Sequence, residues 1–108
     1  MSQTPTTGGN LYRAVYAGVA VVECHILGTV VMRRCEDCFI NATQILKAAD
    51  LDKPRRTRIL ERQIHPYEHE KVQGGYGRYQ GTWIPLPGAV VLAREHGVYA
   101  DLQQLLEL

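Results

Sequence analysis

The stretch EKVQGGYGRYQGTW, residues 70–83, constrains the fold more than any other, because it sets four glycines between two runs of strand-forming residues. Two architectures use such a run. A phosphate cradle needs its glycines between a strand and the helix whose N-terminus receives the phosphate. A β-hairpin needs them where the chain turns with positive φ. Here Gly75, Gly77 and Gly81 have a G-x-G-x-x-x-G spacing, one residue longer than the dinucleotide fingerprint, and the next residues, TWIP, read as a strand. No Walker lysine pattern occurs. The hairpin reading fits, with Gly74, Gly75 and Gly77 as the expected positive-φ positions. Its tip presents Gln73, Tyr76, Arg78, Tyr79 and Gln80, and the single tryptophan, Trp83, is expected to anchor it from the core.

The segments upstream of the hairpin give it a meaning. Residues 12–34 are rich in Val and Tyr, and Gly18 and Gly28 divide them into three short strands. The period then changes. Asn41 with Gln44 three residues on is a capping-box pattern, predicting a helix through about Asp50. A two-residue break at Leu51-Asp52 leads to Lys53-Pro54, where Pro suits the first turn of a second helix running to about Ile64 and stopping before Pro66. Two helices so joined are a helix-turn-helix, and the hairpin after them is its wing. Residues 88–97 and 101–107 close the chain as two short helices. Residues 1–10 read as a disordered polar lead-in and residues 11–108 as one domain.

The second helix is sided. With Ile59 at zero, Leu60 and Ile64 lie at about 100° and 140°, while Arg55, Arg62 and Arg58 lie at about −40°, −60° and −100°. Arg56 falls near the apolar arc and is a candidate to snorkel. The net charge is only +1, but it is segregated. Residues 53–80 carry seven basic side chains against three acidic ones, leaving five against eight elsewhere. Such asymmetry steers a polyanion to one face of a nearly neutral molecule. An ordinary solvated helix face would mix the signs for i,i+4 pairing, and here only Glu61 intervenes.

Other chemistries find little support. His65-Pro-Tyr-Glu-His69 matches H-x-x-E-H in form, but Pro66 interrupts the helix that would bring both histidines to one face. Cys35-x-x-Cys38 has only the adjacent Cys24 and His25 as near partners, which a strand directs to opposite sides. No metal or cofactor is expected. No serine-histidine-acid set or paired carboxylates stand out, so neither an enzyme nor a small-molecule substrate is expected. Three cysteines fit a reduced, intracellular chain better than a disulfide scaffold. No apolar run nears the roughly 20 residues of a membrane span, and MSQTPTTGGN lacks the features of a signal peptide.

Two segments, VMRRCEDCFINATQILKAADLDKPRRTRILER (31–62) and HEKVQGGYGRYQGTWIPL (69–86), carry a family resemblance that extends over about residues 12–107. The chain resembles the APSES DNA-binding domain of fungal transcription factors, a relative of the KilA-N domains of large DNA viruses. Within that family it is most similar to the DNA-binding subunits of MluI cell-cycle box binding factors (MBF), which regulate G1/S genes at ACGCGT cores. The resemblance implies an α+β fold, a small, mostly antiparallel sheet packed with helices and containing a winged helix-turn-helix. It also implies sequence-specific binding of double-stranded DNA, a nuclear location and a further regulatory subunit held through regions absent from this chain. By position, Lys53, Arg55, Arg56, Arg58, Arg62, Lys71 and Arg78 become the basic contacts. Gln73 and Gln80, with Gly74, Gly75, Tyr76 and Tyr79, complete the expected site on the wing. Phe39 stands where the family often has Trp, and the loop IHPYEHE (64–70) lacks a basic residue common there. The rival expectation is a protein- or peptide-interaction module on the same fold.

Overall fold

The computed structural model describes residues 4–5 and 10–108. Most of the expected polar lead-in therefore lies outside the described residues, while Thr4–Pro5 form a two-residue strand, β1, paired with Tyr12 and Arg13. The three expected strands are present as β2 (Leu11–Tyr16), β3 (Val19–Ile26) and β4 (Thr29–Arg34), an antiparallel meander. Each connection is a two-residue turn with positive φ at both positions: Ala17 (51°) with Gly18 (83°), and Leu27 (50°) with Gly28 (73°). That is type I′ geometry, whose twist matches the strands on either side.

A two-residue strand β5 (Ile40–Asn41) runs straight into α1 (Ala42–Ala48). Asn41 caps α1, its side-chain oxygen accepting from the Gln44 N–H at 3.1 Å. Helix α1 ends slightly before the predicted Asp50. Asp50 takes φ 63°, and the Leu51 and Asp50 amides bond back to the Leu46 and Lys47 carbonyls, a Schellman closure. Asp52 is more than part of a break, since its carboxylate caps α2 (Lys53–Ile59) through the Arg55 N–H at 3.0 Å. A π-helical turn, Leu60–Ile64, carries α2 to its end at Pro66.

Strands β6 (Glu70–Val72) and β7 (Gly81–Ile84) form the hairpin, followed by α3 (Leu86–Glu95) and α4 (Tyr99–Leu106). The sheet order is β1-β2-β3-β4-β5-β7-β6, antiparallel throughout. The sheet is buried on both faces. On one, Cys24, Val31, Ile40 and Ile84 pack against Ile45, Leu46, Leu92, Leu102 and Leu105 from the helices. On the other, a smaller cluster of Ala14, Tyr16, Val21, Met32 and Trp83 sits beneath the wing, so Trp83 is core as expected. Arg33 closes α4 from the sheet, donating to the Leu105 and Leu106 carbonyls at 3.0 and 3.1 Å. Among the described residues no helix is long and apolar enough to cross a membrane.

Candidate nucleic-acid interface

A groove of about 460 Å³ runs between α1, α2 and the wing. Five of the expected site residues line it: Lys53 and Arg56 from α2, and Lys71, Gln73 and Gln80 from the hairpin. Its other lining residues include Thr43 and Lys47 on α1, Thr57 on α2 and His65, and sequence reasoning missed these four. Lys47 and Thr43 had a legible signal, since they fall four residues apart on the short helix whose cap adjoins the wing. His65 lies against Lys71 and His69. Burial first, then these neighbours, lower its pKa and favour the neutral ring.

The arginine stripe does not enter this groove. The lining residues Lys53, Arg56, Thr57 and Leu60 share one side of α2, whereas Arg55, Arg58 and Arg62 are exposed on the side about 180° away. Arg55 is also within 3.4 Å of the Asp52 carboxylate. Arg56 snorkels as expected, its Nη1 donating to the Leu51 carbonyl at 2.7 Å and steadying the turn between the helices.

The wing is held to α1 by its main chain. Asn41 Nδ2 donates to the Gln80 carbonyl at 3.0 Å, and Gln44 Nε2 donates to the Arg78 carbonyl at 2.7 Å. Gln44 Oε1 accepts from the Met32 N–H at 2.8 Å, so this side chain ties wing to strand and does not close the reciprocal half of a capping box. The close fit dictates which glycines matter. Gly74 (85°) and Gly75 (71°) take positive φ as expected, whereas Gly77 does not. Gly81 instead carries the constraint: its φ is 143°, and a Cβ there would lie 2.5 Å from Asn41 Oδ1.

One of the tip's aromatic groups, Tyr79, is turned inward. Tyr79 is half-buried, its ring 4.7 Å from Trp83 and 6.2 Å from Tyr16. Arg34, buried in β4, donates to the Tyr79 hydroxyl at 3.1 Å, to Asp37 at 2.7 Å and to Glu70 at 3.1 Å. Burial opposes the Arg34 charge, but these hydrogen bonds outweigh it and hold the guanidinium above its ordinary pKa. Tyr76 remains exposed at the tip, edge-on to Tyr16 at 6.0 Å. A single-strand stacking platform of Tyr76 and Tyr79 is thus poorly served, since one of the two rings is engaged from below. Arg78 is exposed but lies 3.6 Å from the buried Glu23 carboxylate.

Comparison with known proteins agrees with this architecture. The KilA-N domain profile matches residues 25–105. The cell division cycle-related protein res1/sct1 of Schizosaccharomyces pombe is 54% identical over 97 residues, covering 90% of this chain and 15% of that protein. Transcription factor MBP1 of Saccharomyces cerevisiae is 50% identical over 98 residues, covering 90% and 12%. A solved structure described as a DNA complex of PCG2 superimposes with a TM-score of 0.86 at 52% identity, covering 91% of this chain and 88% of that one. The chain thus spans a small part of the curated relatives it matches. This chain belongs to the KilA-N domain family.

Proposed function

We propose that this domain binds double-stranded DNA sequence-specifically as part of a nuclear transcription factor acting on G1/S cell-cycle genes. The observation that carries the reading is the groove, which Lys53 of α2 and Lys71 of the hairpin line together with Gln73 and Gln80. Lysines neutralise phosphates and fix position. Glutamine side chains offer a donor and an acceptor to base edges. The likeness to a protein solved as a DNA complex supports the same reading. The relatives are regulators such as transcription factor MBP1, which supports a DNA-binding domain and not an enzyme.

In mechanism, the side-chain amides of Asn41 and Gln44, bonded to wing carbonyls, hold its descending limb while the glycine tip keeps it thin. The Gln80 side chain therefore projects from an anchored backbone, which lowers the ordering cost of a base contact. Resemblance supplies ACGCGT as the preferred core and a further regulatory subunit as a partner. The test is titration into a fluorescent duplex carrying ACGCGT and into a scrambled duplex, each at low and physiological salt. A cognate preference that survives the higher salt supports sequence reading. Equal binding that vanishes with salt leaves a basic patch alone, and no binding to either turns the reading to the peptide-interaction module.

A further inference from the structure

Glu23 lies in the middle of β3 and is fully buried, a costly place for a carboxylate unless partners surround it. The Tyr16 hydroxyl donates to Glu23 Oε2, and His25 Nε2 is 2.9 Å from Oε1. The third partner comes from far along the chain: Arg78 Nη2, from the wing, is 3.6 Å from Oε1. Tyr16 meanwhile packs against both wing tyrosines, Tyr76 and Tyr79. Strands β2 and β3 thus present one acidic and aromatic seat, and the wing tip rests on it.

Resting on the DNA-binding reading above, we infer that Arg78 is a positioning residue, which docks the wing tip onto the buried Glu23 so that Gln73 and Gln80 keep their aim. It is not one of the phosphate-neutralising charges. Both ends of the residue are committed, since Gln44 holds its carbonyl at 2.7 Å and Glu23 attracts its guanidinium. Reaching for a phosphate would give up this opposite charge, so the exchange trades one ion pair for another. Moving Arg78 to DNA also leaves Glu23 less compensated. Among the described residues Lys71 has no such tether, and it lines the groove.

The experiment measures binding of wild type, Arg78→Gln, Glu23→Gln and the double variant to the ACGCGT duplex and its scrambled control across a salt series. Circular dichroism and thermal melts report folding. Arg78→Gln is expected to cut the cognate-to-scrambled affinity ratio by roughly fivefold or more, as for a weakened base contact. Its slope of log affinity against log salt should stay within a few tenths of wild type. Adding Glu23→Gln to Arg78→Gln should change the ratio little further, because the two act through one contact. A slope flattened by about one unit, with equal weakening on both duplexes, makes Arg78 a phosphate contact and overturns the inference. Independent, multiplying effects of the two substitutions overturn it too. Should Glu23→Gln fail to fold, the slope and ratio of Arg78→Gln on the exposed wing still decide. A wild type without cognate preference removes the DNA-reading premise itself, an outcome distinct from the variant results.

Discussion

Arg34 and Tyr79, 45 residues apart in sequence, meet through a 3.1 Å hydrogen bond from guanidinium to phenol. The same guanidinium lies 5.0 Å from the Phe39 ring and 5.2 Å from Trp83. One buried cation therefore joins the β4–β5 turn, the first wing strand through Glu70 and the wing tip through Tyr79. This makes Tyr79 a part of the wing's foundation.

Tyr79→Phe should destabilise the domain by about 1 kcal/mol, the usual worth of one hydrogen bond. It should leave DNA affinity within about twofold of wild type if the ring acts from below. Tyr79→Ala also uncovers Trp83 and should cost about 3–5 kcal/mol. Urea unfolding followed by Trp83 fluorescence measures both, and a Tyr79→Phe variant that stays stable yet loses DNA affinity would return the hydroxyl to the interface.

Gly81→Ala should be the most damaging glycine substitution in the wing. Its Cβ would strike Asn41 Oδ1 at 2.5 Å, on a backbone with φ 143°. A loss of roughly 2–3 kcal/mol is expected from that strain and the disturbed helix cap. Gly77→Ala meets nothing within 4 Å and has no left-handed φ, so its effect should stay near 0.5 kcal/mol. Equal losses from the two would contradict the role given to Asn41.

Salt dependence separates the two sides of α2. Lys53→Ala and Lys71→Ala should each flatten the slope of log affinity against log salt by about one unit, as expected for a lost phosphate contact. Arg58→Ala, on the outer side, should change it by less than about half as much. Gln80→Ala should instead leave the slope alone and reduce discrimination at one base step by roughly 1–3 kcal/mol. A full unit lost from Arg58→Ala would place the duplex around the outer stripe.

Acid should loosen the wing's foundation. The hydrogen bond from Arg34 holds the Asp37 carboxyl below its ordinary 3.8. A carboxylate whose folded pKa is lowered contributes stability that is present above the unfolded value and lost as pH falls through the folded one. Melting temperature should therefore fall more steeply for wild type than for Asp37→Asn between roughly pH 4 and 2. Parallel curves would mean that Arg34 and Asp37 are not coupled in solution.

Much of this was legible because local chemistry decides it. Gly18 and Gly28 mark two-residue turns, Asn41 a cap and Pro66 a helix end, each acting within a few residues of itself. The groove was half legible. Its basic content followed from composition, but the choice of helix face did not. The Arg55, Arg58 and Arg62 stripe is the more conspicuous pattern, whereas the side toward the wing mixes Lys53 and Arg56 with Thr57 and Leu60. Gln44, Arg34 and Glu23 were illegible for another reason. Their partners on the wing lie 34 to 55 residues away in sequence, and no periodicity reports a contact made across the sheet.

Strand β5 contains only Ile40 and Asn41, yet the sheet's hydrogen-bond ladder passes from the meander to the wing hairpin through these two residues. The ladder is deep on one side and narrow at this seam. Amide exchange should therefore divide the domain into two cooperative units, with β2–β4 opening last and the hairpin opening at a lower free energy. Folding should respect the same division, since the meander closes through two-residue turns while the hairpin awaits longer-range contacts. A variant can thus pass a global melt with its meander intact and still populate states in which the wing has come away.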